Sequence, residues 1–591
     1  MNPQTNTDNT LSNTISDRLC SLCMGILLFC ALFIGLFLTF YSVRYSYYSP
    51  TNYQMHIYMI KDSVWINLLF FAGICALTLL LHRLFEKLGD RQRLAGYIFL
   101  GICCLLYVIF CNIWVTDLPY YPSGDQLNAT AAAYYNRNGN FIMFKTTGYL
   151  GKFPYQKGLT LLYEFLFALF GDFCYSTAAR MHIIMGVVTM IFGYLFVEET
   201  SLYSVCKILY CPLVLFCAPY LILTPYTYGD LPSICFCTVL FWALLRFSKT
   251  GHIRYTVLGS IVVALSLLVR LHTWIVLIAV VIGMSLTSLK KKSFAPFLAG
   301  LLAVAVSFAG TKAVDYSYAL RSGYEITEGA PMVLTLAMGM QENEGGPGTY
   351  NNYQTTTLSA VDYDNEAASR IAKENLQESF SHFAESPSYA VWFFKTKLLM
   401  QWIEPTFETL ISTHSFDEEL PVPEWISEVY FGRRHDILTG FADRYQSIVY
   451  LGFLFFVPVL WKKQKENAAG YIPLIAIVGG FLFSIIWETQ CRYVLPYYVF
   501  MLLYVPDGIC WVVFHILVKG TRSRSQKVMG TPSPEYIPLA DALPLDETRS
   551  RTQDLQAGLA RKHLAKCRRV STVSQRYIFR AGLCTAVILF S

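Results

Sequence analysis

Long stretches of this chain carry no charge, and that fixes the solvent in which it can fold. Leu19 to Val43 and Ala95 to Val115 are uncharged throughout; each exceeds the roughly 18–20 apolar residues that cross bilayer hydrocarbon as a helix. Counting such runs gives twelve spans, near 19–42, 63–82, 95–115, 179–197, 205–223, 230–246, 255–269, 273–289, 294–313, 446–461, 471–487 and 493–518. Lipid offers no partner to a peptide group, so each run is expected to satisfy its own backbone as a helix. The expected fold class is all-α, polytopic and transmembrane. Composition agrees, with 15% of residues charged where soluble domains carry roughly 25%; a soluble enzyme is excluded.

A thirteenth run, Leu159 to Phe170, has 12 residues and includes Glu164, too short to cross unless tilted or re-entrant. Basic loops set the orientation. Arg83, Lys87, Arg91 and Arg93 mark one cytoplasmic loop; Arg246, Lys249 and Arg254, then Lys290 to Lys292, then Lys462, Lys463 and Lys465 mark three more, and all must share a side. Twelve crossings achieve this with both termini in the cytoplasm, whereas a thirteenth breaks the parity.

The expected organisation follows. Residues 1–18 form a cytoplasmic tail and 19–313 a transmembrane core with an outer loop at 116–158. Residues 314–445 form a helical outer-face segment, 446–518 the closing transmembrane helices, and 519–591 a basic, largely disordered cytoplasmic tail. The outer segment contains a Gly-rich stretch, Met338 to Asn351, read as a mobile loop, and a polar helical pattern from Asp364 to Phe383. The net charge of +6 resides in the tail, where 13 Lys and Arg face 5 Asp and Glu; next to a membrane span this points to anionic lipid, not nucleic acid. Ala581 to Phe590 is too short to span and suits the membrane surface. The polar first 17 residues lack a basic residue, and the run after them is too long for a signal-peptide core, so the first helix is expected to stay attached. Most of the 17 cysteines fall within or near apolar runs, as small buried side chains and not a disulfide framework. No internal repeat of the kind many transporters show is visible.

Ionisable residues at membrane depth are expensive and therefore functional candidates. On this topology Asp125, Arg180, His182, Asp230, Arg270, His272, Glu488 and Arg492 converge on the outer interface. Carboxylates beside arginines suit a reaction in which a base deprotonates a hydroxyl while cations hold a phosphate leaving group. The guanidinium donates two parallel hydrogen bonds to phosphate and stays charged, and a carboxylate is a base tunable by burial. Interfaces also collect such pairs for structural reasons, so the convergence weighs more than any single member.

Ser123-Gly-Asp125-Gln126 opens a short helix, for which Asp125 is also a good cap. Tyr149-Leu-Gly-Lys-Phe-Pro154-Tyr-Gln156-Lys-Gly158 and the half-length apolar helix follow. Further along come Ala178-Ala-Arg180, Asp230 after an aromatic loop, Leu268-Val-Arg270, and Glu488-Thr-Gln-Cys-Arg492-Tyr493-Val-Leu-Pro496. This order, from about Ala95 to Pro506, resembles the GT-C membrane glycosyltransferases, the group that includes protein O-mannosyltransferases and lipid A aminoarabinose transferases. The segment Met338 to Asn351, with Lys395 to Trp402 beyond it, is similar to bacterial members. Two departures stand out. Two spans precede the usual first helix, and the acidic motif reads Asp-Gln where relatives often have Asp-Glu, which puts a metal-assisted or paired-carboxylate scheme in doubt.

The resemblance implies an integral-membrane glycosyltransferase of the cell envelope, placed in a bacterial plasma membrane with its site outside. It would move a sugar, with inversion, from a polyprenyl-phosphate donor to a glycan, protein or lipid acceptor. It implies Asp125 as base, Arg270 and Arg492 as donor-phosphate contacts, and Glu488, Asp230, Arg180, His272 and Gln126 as substrate contacts. It fixes no cofactor and leaves room for a divalent cation. A lipid-linked sugar flippase and a polysaccharide polymerase or ligase are the alternatives; a flippase would spread its charges along a path through the bilayer. His182, His272 and His515 lack ligand spacing and read as hydrogen-bonded structural histidines. Lys152 and Lys157 read as solvated loop residues, and the sequon Asn128-Ala-Thr130 as chance.

Overall fold

The computed structural model describes residues 4–48, 58–415, 422–463 and 467–518; the basic tail 519–591 and its closing apolar run lie outside these. Satisfying the backbone internally makes the chain nearly all helical, as the hydropathy requires. In chain order the helices begin with α1 (Gln4–Ser42), α2 (Val64–Glu86), α3 (Gln92–Asp117), α4 (Gly124–Arg137), α5 (Tyr149–Lys152), α6 (Lys157–Phe170), α7 (Tyr175–Thr200) and α8 (Cys206–Leu215). There follow α9 (Ala218–Ile222), α10 (Asp230–Thr250), α11 (Ile253–Val269), α12 (Thr273–Lys291), α13 (Ala295–Ser322), α14 (Met332–Gly339), α15 (Tyr353–Ala360) and α16 (Asn365–Glu385). The last are α17 (Pro387–Trp402), α18 (Thr409–Thr413), α19 (Glu424–Phe431), α20 (Arg433–Lys463), α21 (Ile472–Ile486), α22 (Leu495–Met501) and α23 (Val505–Trp511). Two small antiparallel strand pairs accompany them, β1 (Tyr45–Tyr48) with β2 (Tyr58–Lys61), and the hairpin of β3 (Glu342–Asn343) with β4 (Gly346–Pro347).

Among the described residues nine helices are long and apolar enough to cross a membrane, or ten if Cys491–Met501 and Val505–His515, bent by 54°, form one span. Three of the twelve expected spans differ, and the last, 493–518, is that bent pair. The run 205–223 is broken between α8 and α9, where Pro219, which lacks an N–H, opens the second piece. The run 255–269 is the 17-residue α11. It nonetheless returns antiparallel along α10, because Arg270 just beyond its end meets Asp230 at the start of α10 at 2.9 Å.

The bundle has two chemically distinct ends. At one, Glu199 near the end of α7 pairs with Arg246 at 3.3 Å and Lys249 at 3.4 Å, and Glu198 pairs with Lys207 at 2.7 Å. At the other lie the starts of α4 and α10, the end of α11 and the loop after α21. The 21 residues of α10 separate these ends by about 30 Å at 1.5 Å per residue.

Helix α6 does not traverse the bundle. Its first turn abuts the end of α11, where a side chain at Gly158 would come within 2.6 Å of the Leu268 carbonyl carbon. Its last turn remains at the same end, with Phe167 against Phe173 and Phe173 against Tyr134 of α4. Its one acidic residue is satisfied: buried Glu164 accepts from Asn136 Nδ2 at 2.9 Å, Tyr318 Oη at 2.6 Å and Arg321 at 2.6 Å. Lys157, read from sequence as solvated, is buried and pairs with Asp315 at 2.5 Å. A half-length helix made of apolar residues is thus fastened to α4 and α13 by charge.

Beyond α13 the chain forms a helical segment. The polar pattern read from Asp364 is α16, capped by the Asp364 carboxylate accepting from the backbone N–H groups of Glu366 and Ala367 at 2.9 and 3.1 Å. Both flanking helices outrun their apolar stretches: α13 continues to Ser322 and α20 begins at Arg433. Replacing Glu164 by Ala strands two buried donors, Asn136 and Tyr318, and releases the exposed Arg321; the expected loss is about 2–3 kcal/mol, measured as a fall in the Tm of the detergent-solubilised protein.

Candidate functional site

Asp230 is the first residue of α10 and is 1% exposed. An isolated carboxylate so deeply buried would be prohibitive, and two cations answer it: Arg270 at 2.9 Å and Arg492 Nε at 3.8 Å. Both guanidiniums are walled by phenol rings. Arg270 lies 4.6 Å from the Tyr228 ring centroid and 5.4 Å from Tyr493; Arg492 lies 4.7 Å from Tyr226 and 5.8 Å from Tyr228. Such faces attract cations, more strongly where water is excluded. Arg492 also donates to Ser412 Oγ at 3.1 Å.

Local chain geometry brings these groups together. Pro225-Tyr-Thr-Tyr-Gly229 turns into α10, and Gly229 rests against the α11 terminus, where an added Cβ would lie 2.8 Å from the Val269 carbonyl carbon. That contact sets Tyr228 beneath Arg270. The Tyr228 hydroxyl accepts from Gln156 Nε2, just ahead of α6, and the Tyr226 hydroxyl accepts from Gln126 Nε2 of α4. The two outer-loop motifs are therefore tied to the aromatic loop under the arginines.

Carboxylates face this trio. Glu488 is buried and accepts from Tyr493 Oη at 3.3 Å. Burial pushes its carboxyl up to about 7, opposed by the Tyr493 hydrogen bond and Arg492 and reinforced by Asp125 and Glu408. Asp125 is exposed in the first turn of α4, and its charge reaches Tyr149, Tyr155, Tyr228, Tyr350 and Glu488. Tyr155 retains 49% of its surface accessible, yet desolvation, then Tyr228, Asp125 and Glu488, push its phenol well above the ordinary value. The charges of Asp125, Glu488 and Arg270 all reach this ring, and those of Asp125, Arg270 and Arg492 reach Tyr228, so these groups surround one set of tyrosines.

The remaining sequence candidates fall elsewhere. Arg180 is exposed on α7 and takes no part in the cluster's ion pairs or hydrogen bonds among the described residues. His272 lies beside the cluster, with Nε2 3.3 Å from Ser233 Oγ, and burial followed by Arg270 pushes its imidazole down to about 3, which keeps it neutral. Gln126 is buried with its amide engaged by Tyr226. Asp230 faces its two arginines, and His182 Nδ1 bonds the Thr224 carbonyl at 3.0 Å. Thr130 of the sequon is buried, its hydroxyl donating to Gln126 O at 2.8 Å.

No group of three or more His, Cys, Asp and Glu side chains able to hold a metal occurs among the described residues. Gln126, next to Asp125, is turned to Tyr226, and Asp230 faces two arginines.

Sequence reading missed several participants. Tyr226, Tyr228 and Tyr493 belong to motifs that were read for their charges. Glu404 and Glu408, after the apolar end of α17, form a buried support: Glu404 accepts from the Thr406 and Glu408 backbone N–H groups at 3.1 and 2.7 Å, and Glu408 accepts from Cys491 Sγ at 3.2 Å beside Arg492. Burial pushes Glu404 up to about 7 and raises Glu408. Lys397 is fully buried. Carboxylates and a lysine bounding the run Leu398 to Ile403 were the available signal.

No family profile and no curated protein matches the chain. Among solved structures it is similar to an archaeal oligosaccharyltransferase, AglB from Archaeoglobus fulgidus, solved with an inhibitory peptide and a dolichol-phosphate. The TM-score is 0.39 at 13% identity, over 75% of this chain and 53% of that one. The chain therefore spans about half the length of that relative, and the site is read from its own residues.

Two outcomes test the electrostatics. Asp230→Asn leaves two buried guanidiniums facing no carboxylate at close range and is expected to cost about 3–5 kcal/mol, read as a lowered Tm. For Glu488 the folded-state pKa lies above the unfolded one, so its contribution to stability is complete below about pH 4.5 and is lost as pH rises through about 7. The Tm difference between wild type and Glu488→Gln is expected to move in favour of the variant across that window; a difference independent of pH contradicts the assignment.

Proposed function

We propose that this chain is a membrane-embedded glycosyltransferase of GT-C type, moving a sugar from a polyprenyl-phosphate donor to a hydroxyl-bearing acceptor. The observation that carries the reading is the pair Arg270 and Arg492 held on buried Asp230, with the charges of Asp125 and Glu488 reaching the tyrosines around it. Two guanidiniums on one carboxylate leave the trio with one excess positive charge, walled by rings and shielded from water. Electrostatic attraction for a phosphate is strongest in such surroundings. The N–H groups not engaged by Asp230 and Ser412 are the donors for the phosphate oxygens.

In the proposed reaction the acceptor oxygen attacks the anomeric carbon. The bond from that carbon to the lipid phosphate oxygen breaks, and its electron pair leaves on the phosphate. Asp125 takes the acceptor proton, and Arg270 and Arg492 stabilise the departing charge. A single displacement inverts the anomeric centre. Glu488, poised near neutrality by burial, holds a hydroxyl of sugar or acceptor as either hydrogen-bond donor or acceptor.

The positive-inside rule assigns the end of the bundle bearing Arg246, Lys249 and Lys207 to the cytoplasm. The site then faces outward, on an envelope membrane, and the donor tail lies among the helices. Gathering of charge at one end favours an enzyme over a lipid-linked sugar flippase, which requires polar groups along a path.

The test is release of free polyprenyl phosphate by purified protein in lipid, given a panel of polyprenyl-phosphate sugars and envelope acceptors. Wild type is expected to turn over, and Asp125→Asn, with unchanged Tm, to lose about 100-fold or more in rate, the magnitude of a missing general base. Absence of turnover with every donor, together with lipid-linked sugar crossing the bilayer, overturns the reading in favour of the flippase.

A further inference from the structure

Lys397 sits in the middle of α17 between Phe393 and Leu398, 0% exposed. A buried ammonium needs a strong reason. Its Nζ donates to the Gly339 carbonyl; burial pushes its amine down to about 7, opposed by the charge of Glu488, which favours the protonated form. Around this ammonium the Gly-rich stretch folds into the β3–β4 hairpin, not the loose loop expected from sequence. Gly348, at φ +71°, passes so close that a Cβ there would lie 2.7 Å from Lys397 Nζ and 2.6 Å from Gly339 O. Both the backbone angle and the ammonium therefore require glycine.

The stem of the hairpin is bonded to the residue that follows Glu488. Thr489 N donates to Gly348 O at 2.7 Å, Thr489 Oγ1 donates to Pro347 O at 2.7 Å, and Gly348 N donates to Gln341 O at 2.7 Å. At the other edge, a side chain on Gly339 would lie 2.9 Å from the Ile486 and Trp487 carbonyl oxygens. Two residues past Gly348, Tyr350 emerges 44% exposed, its hydroxyl donating to Asn352 Oδ1 at 2.7 Å, and its phenol feels the charge of both Glu488 and Asp125. The hairpin thus carries an accessible aromatic ring to the loop that bears Glu488, through the Thr349–Thr489 bridge, within electrostatic reach of both carboxylates.

We propose that Lys397 is a positioning residue that locks the hairpin against the loop that bears Glu488, and that Tyr350 just beyond the stem is a specificity-determining contact for the acceptor. The acceptor role rests on the glycosyltransferase reading; the locking role stands without it. An aromatic face beside a carboxylate suits a polyhydroxylated acceptor, whose C–H face packs on the ring while its hydroxyls reach the carboxylate. The Thr349–Thr489 bridge sets the ring beside Glu488, and the charges its phenol feels are those of Glu488 and Asp125, the proposed base, which assigns it to acceptor and not to donor phosphate.

The first measurement is hydrogen exchange of the hairpin amides in the full-length protein in detergent. In Lys397→Met, Gly348 and Thr489 are expected to exchange about tenfold faster or more. Gly348→Ala, which disturbs the hairpin without altering α17, is expected to do the same and serves if the first variant fails to fold. The double variant Lys397→Met with Glu488→Gln separates locking from mere charge balance. Restored Tm with the hairpin still unprotected supports the lock, and restored protection overturns it, as does wild-type exchange in both Lys397→Met and Gly348→Ala.

The second measurement is transfer kinetics. Tyr350→Ala is expected to raise the acceptor KM about tenfold or more while the donor KM moves less than about threefold. Equal shifts in both, or in neither, overturn the acceptor role. Wild type inert toward every donor removes the functional reading and the acceptor role with it, and leaves the lock to be judged by exchange.

Discussion

Asp230 cannot be buried alone, and neither can either arginine that faces it. The carboxylate begins α10, one guanidinium follows α11 and the other follows α21, so this ion trio pins three helix termini at one point. The pins are stiffened by rings that are themselves held. Tyr228 stacks on both cations while accepting from Gln156, and Tyr226 stacks on Arg492 while accepting from Gln126. Through these two amides the outer loop and α6 are registered to the trio, and with them the placement of Asp125.

The economy of charge extends outward. Glu164, Lys157, Glu404, Glu408 and Lys397 are all buried, and each has a partner that explains its burial. A bundle whose outer surface faces lipid gains little by burying apolar side chains against each other, because lipid solvates them equally well. Polar contacts then specify which helix sits beside which. Here they concentrate at the end of the bundle where the irregular segments lie.

Much of the architecture was legible because the apolar runs are long and charges inside a membrane are costly. The span count was harder: hydropathy cannot see Pro219 ending one helix and opening another, and it places α11 without revealing how its last residue meets α10. The charged members of the site were visible from the same expense, and Asp230, Arg270, Glu488 and Arg492 do come together. Arg180 does not, since a residue opening a helix at an interface can equally turn to solvent. The tyrosines were hidden by their own abundance, 40 in the chain. Lys397 was hidden because a lone lysine in a helix carries no sign of the glycine turn that will surround it. Lys157 misled for a related reason: its partner, Asp315, lies 158 residues away.

The hairpin divides into two parts with different freedom to change. Its stem admits no side chain at Gly348, and the neighbouring Gly339 none, without displacing backbone, whereas Glu344 at the tip is exposed and the Gly345 N–H donates to Asn343 Oδ1 at 2.8 Å. Sequence drift can therefore accumulate at the tip while the stem keeps its place. Tyr350, just beyond the stem and exposed, can likewise be exchanged without moving the hairpin, so a lineage of such chains would be able to trade one binding preference for another at that position while the charged trio stays untouched.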